Sequence, residues 1–337
     1  MKKWLLGKSL LELREITDNL KLPSFTAKQI SQWIYQKKVL EIEQMTNLSK
    51  ASRDALSEHY IVGGTKWSDL QKSSDGTKKY LFPVDENEAI EAVMIPDDER
   101  ATLCVSSQIG CKMGCKFCMT GRLGFRGNLS AGEIISQFIN IEESDSISNA
   151  VYMGMGEPMD NYEQVLKSIE ILTSDWGFGW SPKRITVSTI GIIPTLKRFL
   201  EESKAHLAIS LHNPSDEIRR EMMPLQKAYP ISEVIELLKD YDFTGQRRIS
   251  FEYIMFDGWN DAKRDADAII RMLRGLECRV NLIRFHRIPD FELNPSPDAV
   301  IDLFKKRLND AGIVTTLRAS RGEDILAACG MLRGSKK

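Results

Sequence analysis

The 337-residue sequence has no uninterrupted apolar run long enough to span a bilayer, and only 4 histidines. Its opening, MKKWLLGKSLLELREITDNL, breaks the leucines with Lys8, Glu12, Arg14 and Glu15, which leaves neither a signal-peptide core nor a membrane span there. The expected location is therefore the cytoplasm, with no membrane partner. Internal repeats and low-complexity tracts are missing, and with 42% hydrophobic residues the chain can build a sizeable core. No GxGxxG follows the first strand-like segment, which weakens a dinucleotide-binding fold. Net charge is also scarce, at -1, but it is unevenly spread. Residues 1–80 hold 14 Lys and Arg against 9 Asp and Glu, and the remainder holds 32 against 38. A surplus that small suits a solvated helical face as well as a phosphate-binding one.

Cysteine is sparse too, six in all, which is too few for a disulfide scaffold and out of place as one in a reducing compartment. Four of the six, Cys104, Cys111, Cys115 and Cys118, fall within fifteen residues, while Cys278 and Cys329 stand alone. Cys111-Lys-Met-Gly-Cys115-Lys-Phe-Cys118 offers three thiolates on one glycine-containing loop. A closed metal site wants four protein ligands, so three leave one position open for substrate or cofactor. A zinc site completed by Cys104 or a distant histidine is the alternative, and no histidine lies near the loop. Cys278 reads as a small core residue.

The first sixty residues predict short amphipathic helices, one carrying Leu5, Leu6, Leu10, Leu11 and Leu13 and a second starting at Ser24-Phe-Thr-Ala27. We expect residues 1–80 to form a basic helical accessory domain and residues 81–337 the main domain. Gly63-Gly64 and Ser73-Ser-Asp-Gly76 punctuate β-like runs, KKYLFPV and AIEAVMIP. From Thr102 strands alternate with helices: TLCVSS, AVYMG, RITVST, HLAISLH, ISFEYIMF, RVNLIRF and IVTTLR, with helical stretches at 131–142, 162–173, 193–202, 231–239, 261–274 and 298–310 between them. The expected fold class is α/β, a full or partial (β/α) barrel. In such a barrel, chemistry sits at the C-terminal strand ends, where the cysteine loop, Gly154–Pro158, Ser188, Ser210 and His286 fall.

CxxxCxxC with an aromatic residue before the last cysteine resembles the signature of radical S-adenosylmethionine (SAM) enzymes. That resemblance implies a 4Fe–4S cluster on Cys111, Cys115 and Cys118, with SAM chelating the open iron. GMGEP, residues 154–158, resembles the superfamily's glycine-rich SAM-binding segment. The surrounding segments narrow this further. RATLCVSSQIGCKMGCKFCMTGRLGF, AIEAVMIP, VYMGMGEPMDN, ITVSTIGIIP, AISLHNPSDEIRREMMP, VNLI and RASRGEDILAACGML are similar, in order and over nearly the whole chain, to the RlmN/Cfr family of RNA adenine methyltransferases.

Chemistry accounts for such an enzyme's further cysteines. An adenine ring carbon is electron-poor and does not attack a SAM methyl group as an amine would. The resemblance implies two SAM per turnover: one methylates a cysteine, and the second yields the radical that activates this methyl for addition to the base. A second thiol then releases the RNA by forming a disulfide. Cys329 matches the methyl carrier, Cys104 the resolving partner and Glu91 the proton acceptor. Gly156, Glu157, Ser188 and Ser210-Leu211-His212 match SAM contacts. His286 stands where the family usually has an asparagine contact.

The expected substrate is 23S rRNA, methylated at carbon 2 of an adenosine, with the adenosine beside a tRNA anticodon as a second candidate. An electron donor such as flavodoxin is implied. Reaching a ring carbon requires the base to leave its stack, and Lys28, Lys37, Lys38, Lys112, Lys116, Arg122 and Arg126 are candidate phosphate contacts. The rival readings are a carbon 8 methyltransferase of Cfr type and a non-catalytic RNA-binding protein with a structural metal.

Overall fold

The computed structural model describes residues 2–97 and 100–334. Ten strands make the main sheet: β1 (Asp69–Lys72), β2 (Lys78–Pro83), β3 (Ala89–Asp97), β4 (Arg100–Cys104), β5 (Ile147–Tyr152), β6 (Ile185–Thr189), β7 (His206–Ser210), β8 (Ile249–Met255), β9 (Arg279–Arg284) and β10 (Val314–Leu317). They lie side by side in chain order. The first four form an antiparallel meander, and β4 to β10 pair in parallel.

Each parallel step is bridged by a helix, in turn Ala131–Ile139, Tyr162–Thr173, Ile193–Glu202, Ile231–Lys239, Lys263–Met272 and Asp298–Asp310. Because every crossover steps the same way, right-handed connections place the helices on one face, and sheet twist curls the other face around an interior. The edge strands β1 and β10 do not pair with each other among the described residues, so the barrel is partial. Burial follows this plan. Helix Ile231–Lys239 buries Ile231, Val234, Ile235 and Leu238, the stripe expected of a helix on a sheet. β8 is buried along nearly its whole length, as a strand covered on both faces must be.

The N-terminal module holds helices Leu10–Asn19, Thr26–Ser31 and Lys50–His59, closed by a parallel pair of two-residue strands, Lys3–Trp4 and Tyr60–Ile61. Ser9 and Glu12 cap the first helix reciprocally, a motif that contributes on the order of 1 kcal/mol. The module docks tightly on the barrel. At Gly7 (φ +82°) a Cβ would lie 2.2 Å from the Gly132 backbone nitrogen, so only glycine permits the approach. Tyr35 meets Trp176 edge-on at 5.9 Å, and Lys167 pairs with Glu12 at 2.9 Å.

The expected boundary at residue 80 falls inside β2, where Tyr80 pairs with Ala92. The helical module ends with the strand at Tyr60–Ile61, and the chain has joined the main sheet by Asp69. Only Leu70 is apolar in β1, too little alternation to mark this strand in the sequence.

Candidate active site

β4 leads through Val105–Gln108 into a two-stranded ribbon, Gln108–Gly110 with Phe125–Asn128, and the cysteine loop is its tip. Glycine is required at 110 (φ +70°), where a Cβ would fall 1.8 Å from the Gly124 carbonyl oxygen. Backbone bonds fix the loop: Cys111 N–H donates to Gly124 O, Cys118 N–H to Cys115 O and Lys116 N–H to Met222 O. Cys111, Cys115 and Cys118 then line one cavity of about 150 Å³. Burial pushes all three thiols up, Cys111 to about 12, so without a metal they are neutral.

Among the described residues no three His, Cys, Asp or Glu side chains converge closely enough to hold a single metal ion. Three free thiols spread around one cavity suit a cluster, which binds its ligands at separate corners.

Strand ends complete this cavity. Gly156, Glu157, Ser188, Ser210 and His212 line it, as the sequence led us to expect. Gly156 adopts φ +100°, and a Cβ there would sit 2.6 Å from that of Gln108. Glu157 accepts from Met159 N–H and Ile190 N–H, both at 3.0 Å, joining the ends of β5 and β6. Burial raises its carboxyl to about 7. His212 (φ +53°) accepts from Ile254 N–H through Nδ1 at 3.1 Å, which places its proton on Nε2. Burial, helped by the charge of Arg219, lowers this imidazole to about 3.

Leu211 departs from expectation, since its side chain is buried in the main core and does not line the cavity. In an extended strand end, neighbours point to opposite sides, so Ser210 and His212 face inward and Leu211 outward.

A second cavity of about 350 Å³ adjoins the first. Cys104, His286, Arg318 and Cys329 are among its lining residues. Cys104 is buried and Cys329 exposed, and all six cysteines are free, so the implied disulfide is not formed. Burial, then the nearby Cys329 sulfur, pushes the Cys104 thiol up to about 12. Arg318 reaches Glu252 at 3.2 Å and borders both cavities. Burial works against its charge, but Cys329, Glu252 and Cys104 outweigh that cost and raise its pKa. Arg318 opens the segment RASRGEDILAACGML, and its only signal in the sequence is that of a lone basic residue directly after a strand.

Two expected residues sit elsewhere. His286 lines the second cavity and not the first, with Nδ1 3.1 Å from Glu323 of the cysteine-bearing segment. Glu91 lines neither cavity. Its buried carboxylate pairs with Lys79 at 3.1 Å and accepts from the backbone N–H groups of Arg333 and Gly334 at 2.7 and 3.1 Å.

The segment carrying Cys329 is pinned on both sides of the thiol. Before it, Gly322 N–H donates to Asp75, and Asp324 accepts from Ser73 and Ser74. After it, Met119 N–H donates to Gly330 O, and Thr120 Oγ1 to Leu332 O, both at 2.8 Å.

Most of the candidate phosphate-binding cations are engaged. Lys38 pairs with Asp145, Lys112 with Asp160, Arg122 with Asp290 and Arg126 with Glu88, while Lys37 lies over the Trp33 ring. Lys28 and Lys116 are exposed.

Likeness to known proteins points the same way. Residues 105–269 match the radical SAM superfamily, and residues 4–62 match the ribosomal RNA large subunit methyltransferase N-terminal domain. A probable dual-specificity RNA methyltransferase RlmN from Porphyromonas gingivalis is 55% identical, over 98% of this chain and 97% of that one. The dual-specificity RNA methyltransferase RlmN of Syntrophus aciditrophicus is 41% identical, over 97% and 95%. A crystal structure of a radical SAM methyltransferase from Sphaerobacter thermophilus superposes with a TM-score of 0.93 at 37% identity, covering 99% of this chain and all of that one. With both domains matched and relatives aligned along nearly their full length, the chain belongs to the RlmN family of radical SAM RNA methyltransferases.

Proposed function

We propose that this enzyme methylates carbon 2 of an adenosine in 23S rRNA, with a tRNA adenosine as second substrate, through a methyl group carried on Cys329. The observation that carries the reading is the position of Cys329, which borders both the cavity of the three cluster cysteines and the cavity of Cys104. A residue that must receive a methyl group on one side and deliver it to a base on the other needs both neighbours. The dual specificity in the names of the relatives supports two RNA substrates, and we assign the protein to the cytoplasm with those RNAs. Among the described residues no helix is long and apolar enough to cross a membrane.

Cys111, Cys115 and Cys118 would hold the 4Fe–4S cluster, and Gly156, Glu157, Ser188, Ser210 and His212 would contact SAM. Cluster and SAM, two SAM per turnover, supply the methyl group and the radical chemistry when bound, with electrons from a donor such as flavodoxin. The protein's own part is sulfur chemistry. Cys329 holds the carbon that joins the adenine ring; once the ring has given up a proton and the odd electron, which would return to the cluster, RNA is left attached through a C–S bond. Cys104 then attacks the Cys329 sulfur. An S–S bond forms as the C–S bond breaks, and the carbon leaves with the electron pair and takes a proton to become the methyl group. An external reductant must reopen the disulfide.

Glu91 can take the proton lost from the ring only after the tail releases its carboxylate. Residues 2–62 and the exposed Lys28 and Lys116 are proposed to hold RNA phosphates.

The test is anaerobic incubation of Cys104→Ala with RNA, SAM and a reductant. A protein–RNA band that survives denaturation is expected, and a further Cys329→Ala change should abolish it. Full turnover by Cys104→Ala would remove the resolving role. Mass analysis of the nucleosides separates carbon 2 from carbon 8 methylation.

A further inference from the structure

Arg219 is fully buried, on the short helix Asp216–Met222 that follows β7. Burying a guanidinium costs several kcal/mol unless an anion compensates it. Yet all four of its hydrogen bonds go to neutral oxygens. Nε donates to Leu211 O at 3.1 Å, Nη2 to Ser210 O at 2.8 Å and Ile190 O at 2.9 Å, and Nη1 to Gln226 Oε1. Asp216, three residues earlier on the helix, turns its carboxylate to Gln226 and Ser232. The contrast is Arg318, half-buried, which has Glu252 at 3.2 Å.

Arg219 packs behind the wall of the cysteine cavity, since Ile190 and Ser210, whose carbonyls it holds, line that cavity together with Cys115. Its helix is tied to the cysteine loop by Lys116 N–H donating to Met222 O at 3.0 Å. Met113, Phe117, Met222 and Met223 form an apolar cluster with Cys111 on this side of the barrel, so a charge there acts at low dielectric. Burial lowers the guanidinium only to about 10, and it stays charged at neutral pH.

We propose that Arg219 is the buried counter-charge of the iron–sulfur cluster and a positioning residue for its reduction. This inference rests on the reading of Cys111, Cys115 and Cys118 as cluster ligands. Three thiolates make a bound cluster anionic, and one-electron reduction adds a further negative charge. A fixed cation beside Cys115 favours the reduced state, and the same guanidinium ties the ends of β6 and β7 through the carbonyls of Ile190 and Ser210. Solvent screening does not reach this group, so the effect persists at high salt.

The experiment is a dye-mediated reductive titration of the anaerobically reconstituted full chain without SAM, with iron and sulfide analysis beside it. In Arg219→Met the ratio of reduced to oxidised cluster at a fixed potential should fall about tenfold or more, from the loss of one nearby charge at an effective dielectric of about 20. Arg219→Lys, which keeps the charge and loses the fork, should titrate close to the parent. A third variant, Asp216→Asn with Gln226→Glu, moves one carboxylate onto the guanidinium without changing net charge. It should shift the ratio in the same direction as Arg219→Met, by less. If Arg219→Met fails to hold a cluster, the charge-moving pair decides. A pair that titrates with the parent, or an Arg219→Lys protein that titrates far from it, overturns the proposal. A parent chain that assembles no cluster overturns the ligand reading itself, and the iron analysis tells these failures apart.

Discussion

The two sulfur sites of this molecule are built in opposite ways. Cys111, Cys115 and Cys118 come from eight consecutive residues, are held by backbone hydrogen bonds within that loop and to its immediate surroundings, and face one cavity. Cys104 and Cys329 come from opposite ends of the catalytic domain, one buried on a strand and the other exposed on a pinned segment. A loop that stays rigid suits holding a cofactor. A thiol with freedom between two fixed flanks suits carrying a group from one cavity to the next. On the proposed roles, sequence-local sulfur supplies a scaffold and sequence-distant sulfur carries the transferred group.

That contrast is open to direct attack. The largest effect is expected from Cys115→Ala, which should lose the cluster and all SAM cleavage, whereas Cys329→Ala should keep its full iron content and lose methyl transfer. Equal iron in both proteins would erase the distinction between the sites.

Next comes Glu91→Gln, which leaves Lys79 buried without its counter-ion and loosens Arg333 and Gly334. A loss of about 3 kcal/mol in stability is expected from breaking a buried pair, measurable by denaturant unfolding, with iron content unchanged. If iron falls instead, the tail supports the cluster loop and the two sites are mechanically one.

Glu157 gives a pH signature belonging to the first site alone. Its carboxyl is raised from 4.5 to about 7 by burial, so the fold favours the protonated form. That contribution is complete below about 4.5 and is lost as pH rises through about 7. The metal-free chain should therefore lose stability across this window, and Glu157→Gln should flatten the slope of its thermal midpoint, while Cys104→Ala leaves the slope in place.

The smallest effect is on RNA. Lys28→Glu with Lys116→Glu should weaken RNA binding by less than tenfold at physiological salt and reduce the salt slope by roughly one for each phosphate that loses its lysine. SAM cleavage without RNA should be untouched. An unchanged slope would remove these two lysines from the binding surface.

Much of this architecture is legible in the sequence, for identifiable reasons. Each parallel strand and crossover helix shows itself because buried strands and amphipathic helices impose periods of 2 and 3.6 on apolar residues. The cysteine loop is legible because its spacing is itself the site. What stays hidden depends on which way a side chain faces and on who meets it in space. Leu211 lies between two cavity residues in sequence and faces away from the cavity. His286 follows β9 closely enough to suggest the first cavity, yet pairs with Glu323, 37 residues on in sequence. Glu91 looks in the sequence like a strand residue free to act, and only the folded tail shows what holds its carboxylate. Arg219 and Arg318 cannot be told from surface arginines by sequence, since only tertiary structure buries the first and sets the second between two cavities.

The pinning of the Cys329 segment also fixes an order of assembly. Its anchors reach back to Ser73, Asp75 and Glu91, across some 240 to 250 positions of chain, whereas the sheet grows by strands that neighbour one another in sequence. Strand by strand, the barrel and its cysteine loop can form as the chain is made, and Cys329, the methyl carrier on the proposed reading, follows after the last strand of the sheet. On the proposed roles, a chain made only as far as β10 would hold a cluster and have no thiol with which to attach itself to RNA.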